Sequence, residues 1–167
     1  MKYEEAREQL INVWGSLGSS WGISATMARV HALLLLSEEP LHTDALIGEL
    51  QISRGNANMS VRALIEWNLV RRVSVKGERR EFFVAEKDLH KVALTIVRER
   101  RKREISPLIG ALSEIRVDKD DDSPEAADLR KRIREIEAFV KDGDQLLDRI
   151  IRMEESKLWH VLSRIMK

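Results

Sequence analysis

Two short stretches carry the side chains whose types and spacing could do chemistry. In ISRGNANMSVRAL (52–64), Ser53, Arg54, Asn56, Met59 and Arg62 alternate with apolar residues. In VKGERREFF (75–83), Lys76, Arg79 and Arg80 fall within five residues of one another. These side chains are donors, fixed positive charges and one soft thioether, not a nucleophile paired with a base. Asn can pair bidentately with an adenine edge, Arg with guanine, and a Met thioether can lie against a thymine methyl. Ser53 and Arg54 stand where a helix should begin, a place whose free amides and dipole favour a phosphate. Gly55 removes side-chain bulk and lets a backbone come close. The chemistry available is recognition of a polyanion with readable edges.

Charge supports that reading. The 167 residues hold 29 Lys and Arg against 28 Asp and Glu, a net charge of +1. Residues 51–105 alone contain fourteen Lys or Arg and seven Asp or Glu, so this stretch carries +7 and the remainder −6. A concentrated positive block on a near-neutral chain predicts a polyanion-binding face.

The elements that must hold these residues follow from periodicity. Tyr3, Ala6, Leu10, Val13 and Leu17 form one apolar helical stripe, which the glycines and serines of GSLGSSWG (15–22) are expected to end. VHALLLL (30–36) is apolar almost all round and predicts a buried helix, with Ser24 as its cap. Thr43 is the expected cap of a short helix over 44–50, and Ser53 that of a second over 54–67 burying Ala57, Val61, Leu64 and Ile65. Two short helices across so brief a turn make a helix-turn-helix. LVRRVSV and RREFFVA then read as two strands about a tight turn centred on Gly77, a wing. Arg71 is set apart from the other wing cations, because strand alternation can turn it inward to an acid.

From Asp88 the helical period returns through RERRKR (98–103), a run as compatible with a solvated helix face as with a nucleic acid. Pro107 either kinks this helix or opens a new one. Ser123-Pro124-Glu125 is a helix start, followed by a heptad seam through Leu129, Ile133, Ile136, Val140, Gly143, Leu147 and Ile150, which Lys141–Asp144 could interrupt. A helix this long needs a second subunit to cover it. The expected fold is mainly α with a small β-hairpin: a winged helix-turn-helix domain over 1–87 and a helical linker and dimerisation region over 88–167.

Composition excludes other classes. No apolar run reaches the ~18–20 residues of a membrane span. With no cysteine there is no disulfide framework or thiolate zinc site, and a cytoplasmic location is expected. Asp118, Asp120 and Asp122 have calcium-loop spacing, but Ser123 stands where the turn glycine should be and Leu129 where the bidentate glutamate should be. The four histidines lack ligand spacing, and His31 reads as a satisfied core residue. No cofactor motif or catalytic set is present, so an enzyme is not expected.

The run from Ala28 to Leu89 resembles the MarR-type winged-helix transcriptional regulators, and within them the glycine-betaine-synthesis regulator (GbsR-like) branch. LLLLSEEPL, ISRGNANMSVRAL, WNLV and GERREFF carry the likeness. It implies a homodimer that reads a palindromic operator in double-stranded DNA and regulates transcription, here read as repression. By position it implies recognition through Ser53, Arg54, Asn56, Met59 and Arg62 and wing contacts through Lys76, Arg79 and Arg80. Some members of the branch sense choline in an aromatic cavity, which points to Trp14 and Trp21 as candidates for a choline-like effector through cation–π attraction. The alternative reading is a winged-helix protein–protein adaptor that binds no DNA.

Overall fold

The computed structural model describes residues 1–20 and 22–155. The chain divides into two compact units, Met1–Thr95 and Ile96–Lys167. Among the described residues no helix is long and apolar enough to cross a membrane.

The first unit contains α1 (Tyr3–Ser20), α2 (Ala25–Leu36), β1 (Leu41–His42), α3 (Thr43–Leu50), α4 (Arg54–Glu66), β2 (Val70–Val73) and β3 (Phe82–Ala85), and α5 (Leu89–Arg100) starts within it. As its composition demands, α2 is the centre. Val30, Leu33 and Leu34 are fully buried there with Leu46 of α3 and Leu64 of α4. The strands form an antiparallel sheet in the order β1-β3-β2, with Leu41 opposite Phe83 and Val73 opposite Phe82. The expected hairpin therefore gains a third strand, and its connection is wider than a tight turn. Residues 74–81 leave the ladder entirely, which places Lys76, Arg79 and Arg80 in a loop rather than on strands.

The expectation for α1 fails in an informative way. The helix runs through Gly15 and Gly18. A Cβ added at Gly18 would stand 2.4 Å from the Ala28 Cβ, and one at Gly15 would stand 2.7 Å from the Arg29 Cγ. Close approach of α2 thus offsets the propensity cost of about 1 kcal/mol per glycine. The buried face of α1 is Ile11, Gly15 and Gly18, while the apolar stripe through Tyr3, Leu10, Val13 and Leu17 points outward.

Between α3 and α4 the chain turns through Gln51, which takes a left-handed conformation at φ 51°. The cap of α3 is His42 rather than Thr43: its ring Nδ1 accepts from the Ala45 amide at 3.3 Å, and Thr43 is the first helical residue.

The second unit holds the end of α5, a single π-helical turn (Arg101–Ile105), α6 (Ser106–Glu114) and α7 (Pro124–Glu155). Pro107 stands at the start of α6, as one of the two readings expected, and the chain enters that helix directly from the π turn. The residues on either side of the π turn keep helical dihedrals, and the Ser106 amide reaches back five residues to the Arg101 carbonyl. That wider turn accommodates a ring which would clash in an ordinary α register. Ser123 caps α7 by accepting from the Ala126 amide at 3.2 Å. The helix continues unbroken through Gly143. The seam's continuation through Leu158, Val161 and Ile165 lies outside the described residues. In the acidic loop, Arg130 donates to the carbonyls of Asp118 and Asp121 at 2.8 and 2.9 Å. The described residues contain no group of His, Asp or Glu fit to hold a metal.

Candidate nucleic-acid interface

Ala57, Ser60, Val61 and Leu64 anchor α4 by burial, Ala63 and Ile65, the latter expected to be buried, are half-buried, and the other residues of the helix are exposed. Ser53, Arg54, Asn56, Met59 and Arg62 are all exposed. Ser53 is the N-cap, its hydroxyl oxygen accepting from the Asn56 amide at 3.2 Å. Met59 is 65% exposed, an apolar tip that the described residues leave largely uncovered. Asn58 is not among the residues expected from the sequence, and it is exposed as well. It stands four residues after Arg54 and four before Arg62, so the three form a ridge one turn apart. That spacing is present in the sequence, but counting outward from Val61 picks out Asn56 instead.

In the wing, Gly77 takes φ 87°, the left-handed conformation that turns the loop. Lys76 and Arg79 are exposed and, like Arg62, have no ion pair or hydrogen bond among the described residues. Arg80 is turned back. Its Nε and Nη2 donate to the Glu78 carboxylate at 3.2 and 3.0 Å, Nη1 lies 3.2 Å from His42 Nε2, and the guanidinium sits 5.9 Å from the Phe82 ring centre. A neutral imidazole accepts at only one nitrogen, so the cap on α3 and the Arg80 contact compete for His42. Of the two strand arginines, Arg72 pairs with Glu81 at 3.1 Å, whereas Arg71, the one expected to find an acid, is exposed without one.

Helix α4 and the wing meet through α3. Asp44, in its first turn, accepts from Arg54 Nη2 at 2.5 Å, while His42 at its cap faces Arg80.

Trp14 is half-buried, and its indole N–H donates to His31 Nδ1 at 3.3 Å. The imidazole proton is therefore on Nε2, which is buried with no partner in the described residues. His31 is thus only half satisfied. Burial, with a smaller contribution from the Lys87 ammonium, lowers its pKa to about 4. An apolar cleft of about 390 Å³ lies beside Trp14, lined also by Leu10, Leu35 and Leu36. Lys87 closes one wall, its ammonium donating to the carbonyls of Leu34, Leu35 and Ser37 at the end of α2. Trp21 lies outside the described residues.

No family model matches the chain. It is 26% identical over 115 residues to the HTH-type transcriptional repressor GbsR of Bacillus subtilis (strain 168), a match covering 69% of this chain and 63% of that protein's length. A crystal structure of a transcriptional regulator superposes with a TM-score of 0.63 at 18% identity, covering 90% of this chain and 99% of that one. The second likeness is one of fold. The chain thus has a winged helix-turn-helix fold, similar in sequence to the GbsR repressor and in architecture to the superposed regulator.

Proposed function

We propose that the chain is a dimeric, sequence-specific binder of double-stranded DNA that represses transcription. The observation that carries this reading is the surface on which Arg62, Lys76 and Arg79 stand exposed with no acid of the described chain to neutralise them. An exposed recognition helix with its N-terminal residues outward suits the major groove, and a cationic loop suits the flanking backbone or minor groove. In this reading α4 presents Ser53, Arg54, Asn56, Met59 and Arg62 to the groove. The wing presents Lys76, Arg79 and Arg80. The names of the GbsR repressor and of the superposed regulator agree with such a role.

Dimerisation is supported by two apolar stripes that the described residues leave uncovered. One is Tyr3, Leu10, Val13 and Leu17 on α1, and the other includes Leu129, Ile136 and Ile150 on α7. Residues 1–87 then form the DNA-binding domain and 88–167 the dimerisation region. The half-buried Trp14 ring beside its cleft supports a choline-like effector, which a rise in melting temperature with choline tests.

The deciding experiment is titration of labelled random duplex DNA at several salt concentrations. A dimer making about eight phosphate contacts gives a slope of log affinity on log salt near −7. An adaptor gives no binding even at low salt.

A further inference from the structure

The sequence alone puts Arg54 beside a phosphate; its partner in the fold points elsewhere. Arg54 opens α4, and Asp44 sits in the first turn of α3, so the ion pair spans the two helices of the helix-turn-helix. Asp44 is the fixed half, because the free amides of a helix N-terminus favour a carboxylate there. Contact is through one nitrogen, Nη2 to Oδ1 at 2.5 Å, and the side chains are 67% and 52% exposed. The other guanidinium nitrogens of Arg54 have no partner among the described residues.

We propose that Asp44 is a positioning residue that aims Arg54 at a guanine edge, making Arg54 a reader of sequence and Asp44 a determinant of specificity. This rests on the placement of α4 in the major groove proposed above. A guanidinium needs two N–H groups to engage O6 and N7 of guanine, and the single contact to Asp44 leaves enough of them free. A phosphate in the same place would meet the Asp44 carboxylate as well, and two anions sharing one arginine repel. The neutral acceptors of a base edge carry no such penalty. Arg54 also starts the ridge that continues through Asn58 and Arg62. At 1.5 Å per residue the ridge is about 12 Å long, a span of three to four base pairs at ~3.4 Å each.

Selection of bound sequences from a pool of randomised duplexes, run with the wild type, Asp44→Asn and Arg54→Gln, tests the proposal. In the wild type one position of each half-site should favour one base pair by about 5- to 150-fold, the range of a bidentate contact. Both variants should reduce that preference to under threefold at the same position and leave the others unchanged. Asp44→Asn should also bind random duplex more tightly by a few-fold, since a negative charge has gone. A merely structural role for Asp44 would lower affinity at every position together. The proposal is overturned if Asp44→Asn keeps every wild-type preference, or tightens selected and random DNA by the same factor, which is the signature of a phosphate-bound Arg54. A wild type that enriches no sequence would instead bring down the DNA-binding reading on which the proposal stands.

Discussion

The α4–wing surface and the run 98–103 are comparably basic in sequence, and they differ in what the fold sets against them. In the run, Arg101 donates to Asp144 at 2.5 and 2.9 Å and to Asp148 at 2.6 Å, and Arg103 reaches Glu99 at 3.2 Å. The effect is mutual. The hydrogen bond from Arg101 holds the Asp144 carboxyl below its ordinary range, and Arg152 together with Arg101 does the same for Asp148. On the α4–wing surface, Arg62, Lys76 and Arg79 have no such counterpart in the described chain. The α4–wing surface thus keeps three cations without an acid beside three that are paired, Arg54 with Asp44, Arg72 with Glu81 and Arg80 with Glu78. In the C-terminal unit the acids of α7 arrive one turn apart on the right face, and the charge serves cohesion.

The sharpest way to break this contrast is to remove the unpaired cations together. Replacing Arg62, Lys76 and Arg79 by Ala should weaken binding of duplex DNA by roughly 10⁴-fold or more, since a dimer then lacks six cations worth ~1 kcal/mol or more each. Fluorescence anisotropy on selected duplex reads this directly.

Acid separates the permanent cations of the proposed interface from His31, the one buried basic residue among the described residues. His31 has a folded-state pKa of about 4 against an ordinary 6.5. Above pH 6.5 it is neutral folded and unfolded, and contributes no pH dependence. As pH falls, the unfolded chain takes up a proton that the folded chain refuses, so stability declines from about pH 6.5 to pH 4. The loss approaches about 3 kcal/mol. Denaturant melts at several pH values should show the decline, and His31→Gln should flatten it.

Next in size, Arg62→Ala should cost ~1–3 kcal/mol on the selected duplex and relax preference at one base pair. Arg79→Ala should weaken selected and random duplex equally and make the salt slope shallower by about one for each phosphate the wing no longer neutralises. Equal weakening by Arg62→Ala on both duplexes would remove it from base reading. The smallest effect belongs to the other side of the contrast. Lys102→Ala, in the C-terminal run, should leave duplex affinity within about twofold.

How much of this is legible in the sequence depends on which force sets each feature. The Ser53 cap, the burial of Ala57, Val61 and Leu64, and the paired β-branched and aromatic runs of the wing are local, and they read correctly. The packing face of α1 does not. Its glycines give no apolar signal, and only the approach of Ala28 and Arg29 reveals that they are the contact surface. His42 is not an expected cap because an imidazole rarely takes that role, and Thr43 beside it is a better capper by type. The π turn before Pro107 depends on hydrogen-bond register, which composition does not encode. The proposed site residues follow from type and spacing. Their partners Asp44, Glu78 and His42 do not, because those interactions depend on how the folded elements are set against one another.

The measurement that bears most directly on the account is recovery of bound sequences from randomised duplex DNA with the unaltered protein at low salt. The account predicts enrichment of a near-palindrome whose half-site centres lie ~10 bp, or a multiple of that, apart. A recovered pool indistinguishable from the starting one would contradict it.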